Sequence, residues 1–268
     1  MSTFVPAWLK SAVFIDGVIF GISYFFTSSP LNIIFDVGIY SSAFAIVGMF
    51  AIIQTAFNVV WRPLQTEHYS HENDDRSFIR DGNRYMTIIM FFGGLSIILL
   101  KDVFCLFLGE SYRAGAKLIP FLIFNPIMNT LISTVTSGIE HSKKGHLRVF
   151  IILISLLVEL IMSKLLIPYF GIYAIAISMS VSLIVQYILT VLISEKYYKV
   201  NYKLGKSLVL IVVTFIYAII SCKYNILLVN IAAYVAAIIT LFIIYKNEIK
   251  KMITFINISV SKKEWWYT

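Results

Sequence analysis

The sequence predicts an all-α, polytopic integral membrane protein with about eight transmembrane helices, and three observations carry that prediction. The 268-residue chain is 59% hydrophobic and 13% charged, whereas ordinary soluble domains are about half apolar and about a quarter charged. Its mean hydropathy is +0.85, more apolar surface than one soluble core can hide. The run Val149–Ser194 carries only two charged residues, Glu159 and Lys164. As one helix it would be about 70 Å long at about 1.5 Å per residue, against a hydrocarbon core of about 30 Å. It must fold back, and Pro168-Tyr169-Phe170-Gly171 is the break.

Apolar windows of about 20 residues place the spans at Trp8–Thr27, Gly38–Val60, Tyr85–Leu108, Ala116–Gly138, Val149–Ile167, Ile172–Ser194, Leu204–Cys222 and Ile226–Tyr245. Each must be helical, because an unpaired backbone group in lipid costs several kcal/mol. The first is read as a span rather than a signal peptide, since Asp16 interrupts what would be the apolar region and no small-residue cleavage site is clear. Between the second and third lies the one long soluble loop, Arg62–Arg84, with five of the 14 acidic residues. After the eighth, Asn247–Thr268 mixes lysine with apolar residues and ends in "KKEWWYT", which suits a membrane-surface segment.

Lysine and arginine placement sets the topology. With both termini on one side, that side takes Lys10, Arg62, Arg76, Arg80, Arg84, Lys143, Lys144, Arg148, Lys196, Lys199, Lys203, Lys206 and the tail lysines, leaving Lys101, Arg113, Lys117, Lys164 and Lys223. The basic side is cytoplasmic and the 168–171 turn lies outside. The net charge of +8 is then an orientation signal and a contact with anionic lipid heads, with no case for nucleic acid.

Polar residues inside the spans fall at steps of four, which keeps them near one helix face. The stripes are Gln54, Asn58 and Arg62; Asn125, Asn129, Ser133 and Ser137; Ser155, Glu159 and Ser163; and Ser178, Ser182, Gln186, Thr190 and Ser194. The serine-threonine stripe suits helix packing, while amides and charges suit a wet pathway. Asp16 and Glu159 sit mid-span, where an acid costs about 2.5–3.5 kcal/mol, and are candidates for a proton or cation site. Lys101 is a candidate contact for an anionic headgroup, or half of an internal pair with Asp102.

Other motifs are weaker. His68 and His71 form H-x-x-H without further ligands, and Asp74, Asp75 and Asp81 have no second acidic motif, so neither a metal site nor a cofactor is expected. Cys105 and Cys222 form no spaced framework.

Four passages resemble the bacterial polysaccharide repeat-unit flippases of the O-antigen and capsule type, in the multidrug/oligosaccharidyl-lipid/polysaccharide exporter superfamily. They are "DVGIYSSAFAI" (36–46) with "WRPLQTE" (61–67), "FLGESYRAGAKLIPFL" (107–122), "SGIEHSKKGHLR" (137–148) and "SKLLIPYFGIYAIAIS" (163–178). The likeness covers the chain as helices seven to fourteen, the C-terminal lobe of such a transporter. Residues 1–194 would be a six-helix lobe, and 195–268 two further helices with a basic tail. Ser163 stands where the family commonly has Asn, and Tyr173-Ala174 where it has Gly-Ala.

The resemblance implies a bacterial inner-membrane protein that is not an enzyme. It would flip an undecaprenyl-type lipid-linked oligosaccharide together with an N-terminal lobe or other polysaccharide-assembly membrane proteins. Its polar cavity would be lined by Asp16, Gln54, Asn58, Arg62, Asn125, Asn129 and Glu159. A drug exporter on the same fold, a membrane polymerase or glycan transferase, and a remnant of a disrupted gene are the other readings.

Overall fold

A computed structural model of the chain describes residues 30–70, 76–106, 109–142, 144–224, 226–252 and 254. In chain order they form α1 (Pro30–Ser70), α2 (Arg76–Leu106), a 3-10 helix (Glu110–Lys117), α3 (Ile119–Leu122), α4 (Phe124–His141), α5 (Gly145–Phe170), α6 (Tyr173–Tyr197), α7 (Leu204–Lys223) and α8 (Leu227–Ile244). The described residues contain no strand. Seven stretches are long and apolar enough to cross a membrane, α3 and α4 counting as one across Ile119–Glu140. These are the second to eighth spans expected from hydropathy. The first, Trp8–Thr27, lies outside the described residues together with Asp16.

The expected soluble loop Arg62–Arg84 is corrected by the structure. α1 continues to Ser70 and α2 starts at Arg76, so most of that polar stretch is helix reaching beyond the apolar windows. A helix satisfies its own backbone in water as well as in lipid, so polarity alone does not end it. Trp61 stacks on Phe57 at 5.2 Å and on Phe78 at 5.3 Å, joining the two extensions. Gly82 makes this possible, because a Cβ there would fall on the Trp61 ring.

α4 is the central helix. Phe124, Ile127, Met128, Leu131 and Val135 are fully buried, with α1, α2 and α6 packed around them. By contrast, α5 and α8 bury only 28% and 17% of their most apolar segments, and present their outer faces as a lipid-facing rim would. The α4–α6 contact is close because residue 138 is glycine. Ser194 Oγ donates to the Val135 carbonyl at 2.8 Å, and a Cβ on Gly138 would overlap that hydroxyl. Ser180 Oγ reaches the Phe121 carbonyl at 2.8 Å, a second tie from α6.

The α5–α6 hairpin turns slightly later than the sequence suggested. Pro168, Tyr169 and Phe170 stay in the last turn of α5, and the chain reverses at Gly171, whose φ of +54° and ψ of −132° suit glycine alone. Its N–H still caps Ile167 at 2.9 Å. α7 and α8 pack on each other and on α2, with Ser96 and Tyr234 hydroxyls 3.1 Å apart.

One end of the bundle collects the basic residues. Arg76 Nη1 donates to the Lys199 carbonyl at 3.2 Å and its guanidinium lies over the Tyr198 ring. Lys144 sits over the Tyr197 ring at 3.9 Å, and Arg84 and Lys206 both pair with Glu248. Gly171 and the 3-10 helix occupy the other end. Among the described residues, Arg76, Arg84, Lys144 and Lys206 thus share one end, while Arg113 and Lys117 stand in the 3-10 helix at the other.

Candidate functional site

Four helices bring polar side chains together around the α6 residues Met179 and Ser182. Asn129 Nδ2 donates to Asn125 Oδ1 at 3.2 Å along one face of α4, the i,i+4 spacing that makes such pairs neighbours. Asn125 Nδ2 reaches the Met179 sulfur at 4.0 Å, and the Tyr40 hydroxyl of α1 donates to the same sulfur at 3.6 Å. One turn further along α6, Ser182 Oγ lies 3.1 Å from Glu159 Oε2 of α5 and 2.9 Å from the Met179 carbonyl. Ser163 Oγ in turn donates to the Glu159 backbone carbonyl.

The α5 stripe thus has a definite neighbour. Ile151, Ser155, Glu159, Ser163 and Ile167 are its buried residues, spaced four apart and turned inward among lipid-facing leucines and isoleucines. Ser182 answers Glu159 from α6, whereas Ser194, in the same buried row as Ser178 and Thr190, turns to α4. Small hydroxyl residues let α5 and α6 approach, as in other membrane helix pairs, and Glu159 is the one acid in that interface. Asn125 and Asn129 remain only half-buried, so the seam is dry on the α5 side and more open on the α4 side.

The α1 stripe lies on the helix's inner face. Gln54 and Asn58 are buried, and the same face continues through Trp61 to Gln65, whose amide donates to the Thr134 carbonyl at 3.3 Å. Asn83 of α2 donates to the Thr134 hydroxyl at 2.7 Å. Asn58 Oδ1 is buried without a hydrogen-bond partner, an acceptor that a ligand or water can use. Arg62 is exposed beside this row.

Lys101 stands apart from the seam. It is only 2% exposed and pairs with Asp102 at 3.0 Å, on α2 where that helix meets α7 and α8. The two residues weighed as a pair from sequence are in contact, although Asp102 itself is 55% exposed. Tyr40, Met179, Gln65, Asn83 and Thr134 were not singled out from sequence. The amides among them sat in stretches read as loop, and no polar spacing marks a tyrosine or methionine in an apolar helix.

Chemically, the seam offers amides that both donate and accept, a carboxyl group hydrogen-bonded to a serine hydroxyl, and a polarizable thioether. Among the described residues no group of three or more His, Cys, Asp or Glu side chains could hold a metal ion, and Cys105 and Cys222 are free thiols. His71 and the side chain of His68 lie outside the described part. No family model matches the chain, and neither curated proteins nor solved structures show a match.

Proposed function

We propose that the chain is a lobe of a membrane translocator that flips a lipid-linked oligosaccharide across the bilayer. One observation carries the reading: polar side chains from α1, α4, α5 and α6 meet at a single seam within apolar spans. Intramembrane polar and ionisable groups are costly and mark pathways by default, and packing alone does not need two half-buried asparagines on the same face. The sequence resemblance to polysaccharide repeat-unit flippases supplies the cargo class. Asn125, Asn129 and the buried acceptor of Asn58 suit hydroxyl-rich sugar, and Glu159 and Asp16 are the groups through which a proton or sodium gradient would couple.

In this scheme no bond is made or broken. Rocking of lobes would expose the seam to one side and then the other, as in repeat-built transporters. The chain would sit in the bacterial inner membrane with its basic end cytoplasmic. The test uses everted vesicles from cells expressing the full chain, with a fluorescent lipid-linked oligosaccharide whose outer-leaflet copies are quenched. Asn125→Leu with Asn129→Leu should lower the transport rate about tenfold or more, the effect of about 1.4 kcal/mol on a barrier, while the thermal midpoint holds or rises. Unchanged transport in that double variant, or in Asp16→Asn with Glu159→Gln, would refute the site.

A further inference from the structure

A second site lies at the basic end of the bundle, away from the seam. The first turns of α2, the start of α7 and the helical segment after α8 enclose a cleft of about 750 Å³. Its charged walls are Asp81, Arg84, Lys203, Glu248, Lys250 and Lys251. The two carboxylates are already answered: Arg84 Nη1 lies 3.8 Å from Asp81 and 3.6 Å from Glu248, and Lys206 Nζ is 3.1 Å from Glu248. Among the described residues Lys203, Lys250 and Lys251 have no ion-pair partner. They therefore give the cleft a surplus of positive charge.

The cleft is not simply cationic. Glu248 is 8% exposed, and its second oxygen, Oε2, is buried with no hydrogen-bond partner. A buried acceptor left open beside three uncommitted ammonium groups fits a ligand that is anionic at one point and donates a hydroxyl at another. Lys203 is held in place for this by an unusual backbone, with φ of 52° at the N-cap of α7, where its carbonyl accepts from the Lys206 N–H at 2.9 Å. Its walls stand at or beyond the ends of the apolar stretches Arg76–Leu106, Leu204–Lys223 and Leu227–Ile244, where a spanning helix would meet lipid headgroups.

We propose that this cleft binds a hydroxyl-bearing phosphodiester or phosphate monoester, the chemistry shared by a phosphatidylglycerol headgroup and free glycerol phosphate. The phosphate sits among Lys203, Lys250 and Lys251, and a glycerol hydroxyl donates to Glu248 Oε2. Charge-assisted contacts of this kind are the strong ones, and each basic residue near an anionic surface changes affinity about fivefold.

The experiment places the full chain in nanodiscs of phosphatidylcholine doped with phosphatidylglycerol or phosphatidic acid, with native mass spectrometry and thermal shift as readouts. Phosphatidylglycerol should bind preferentially, and Lys250→Gln with Lys251→Gln should weaken it about 30-fold without lowering the melting point in pure phosphatidylcholine. Lys203→Gln should weaken it about fivefold. Glu248→Gln should narrow the preference for phosphatidylglycerol over phosphatidic acid. Free glycerol phosphate matching the lipid in affinity would support the anion site and assign it to a soluble ligand. Equal retention of phosphatidylglycerol and phosphatidylcholine, or a double variant that binds like the parent, would overturn the proposal.

Discussion

Gly138→Ala tests the tightest helix contact in the bundle. The added Cβ would overlap Ser194 Oγ and stand 3.2 Å from Tyr198 Cβ and 3.4 Å from Ser194 Cβ. The hydroxyl cannot move without giving up its 2.8 Å bond to the Val135 carbonyl. Overpacking of this kind costs about 1–3 kcal/mol, and the lost hydrogen bond adds about 0.6–1 kcal/mol. The better helix propensity of alanine returns about 1 kcal/mol, leaving a net loss of about 1–3 kcal/mol. Ser194→Ala alone should cost about 0.6–1 kcal/mol.

Together the two changes remove the clashing atom, and the new methyl meets carbon neighbours at 3.2 and 3.4 Å, tight contacts that a shift of a few tenths of an ångström relieves. The double variant should therefore lose less than the sum of the single ones, with a coupling of about 1 kcal/mol or more. Reversible unfolding in mixed detergent micelles, followed by tryptophan fluorescence, reads all three variants. Simple additivity of the single effects would refute the close α4–α6 contact.

Three further outcomes follow from other parts of the structure. Gly171→Ala meets no neighbour within 4 Å but must adopt a backbone open to glycine, so it should lower stability by about 1–3 kcal/mol, whereas Gly145→Ala, with equally open space and no such backbone, should not. Burial raises the Glu248 carboxyl, but the Lys206 hydrogen bond and the charges of Lys206 and Arg84 outweigh it and hold the pKa below the usual 4.5. A depressed acid stabilises the fold above its unfolded pKa and loses that contribution as pH falls through the folded one. Thermal midpoints should therefore drop below about pH 4.5 in the parent and less so in Glu248→Gln. Finally, a cysteine at Tyr169, which is 82% exposed, should react with an impermeant thiol reagent from outside the cell, and one at Arg76 only from the cytoplasm; the reverse pattern would invert the proposed orientation.

Much of the candidate site was legible in the sequence as stripes, because a step of four on a helix keeps side chains on one face whatever the fold. Glu159 is a clear case: its spacing with Ser155 and Ser163 marked a polar face, and that face is buried. Its partner was not legible: the fold-back at 168–171 makes α6 a neighbour of α5, but nothing in the residues says that Ser182 is the one that meets Glu159. Gln54 and Asn58 show the same limit. Their stripe was visible, but their place on the row running from Phe50 to Gln65 depends on α1 packing against α2 and α4.

Sequence alone determined the all-helical class, the positions of seven described spans and the gathering of basic residues at one end. Those features follow from lipid, which excludes unpaired backbone and charge regardless of which helices touch. The tertiary structure decided where helices end, since α1 and α2 run on past their apolar windows, and it decided which stripes meet. It also turned Arg84, Lys203, Glu248 and the lysines at 250 and 251 into one cleft. These residues are scattered over a long stretch of sequence with no periodicity to connect them, and only the packing of α2, α7 and α8 brings their charges within range of each other.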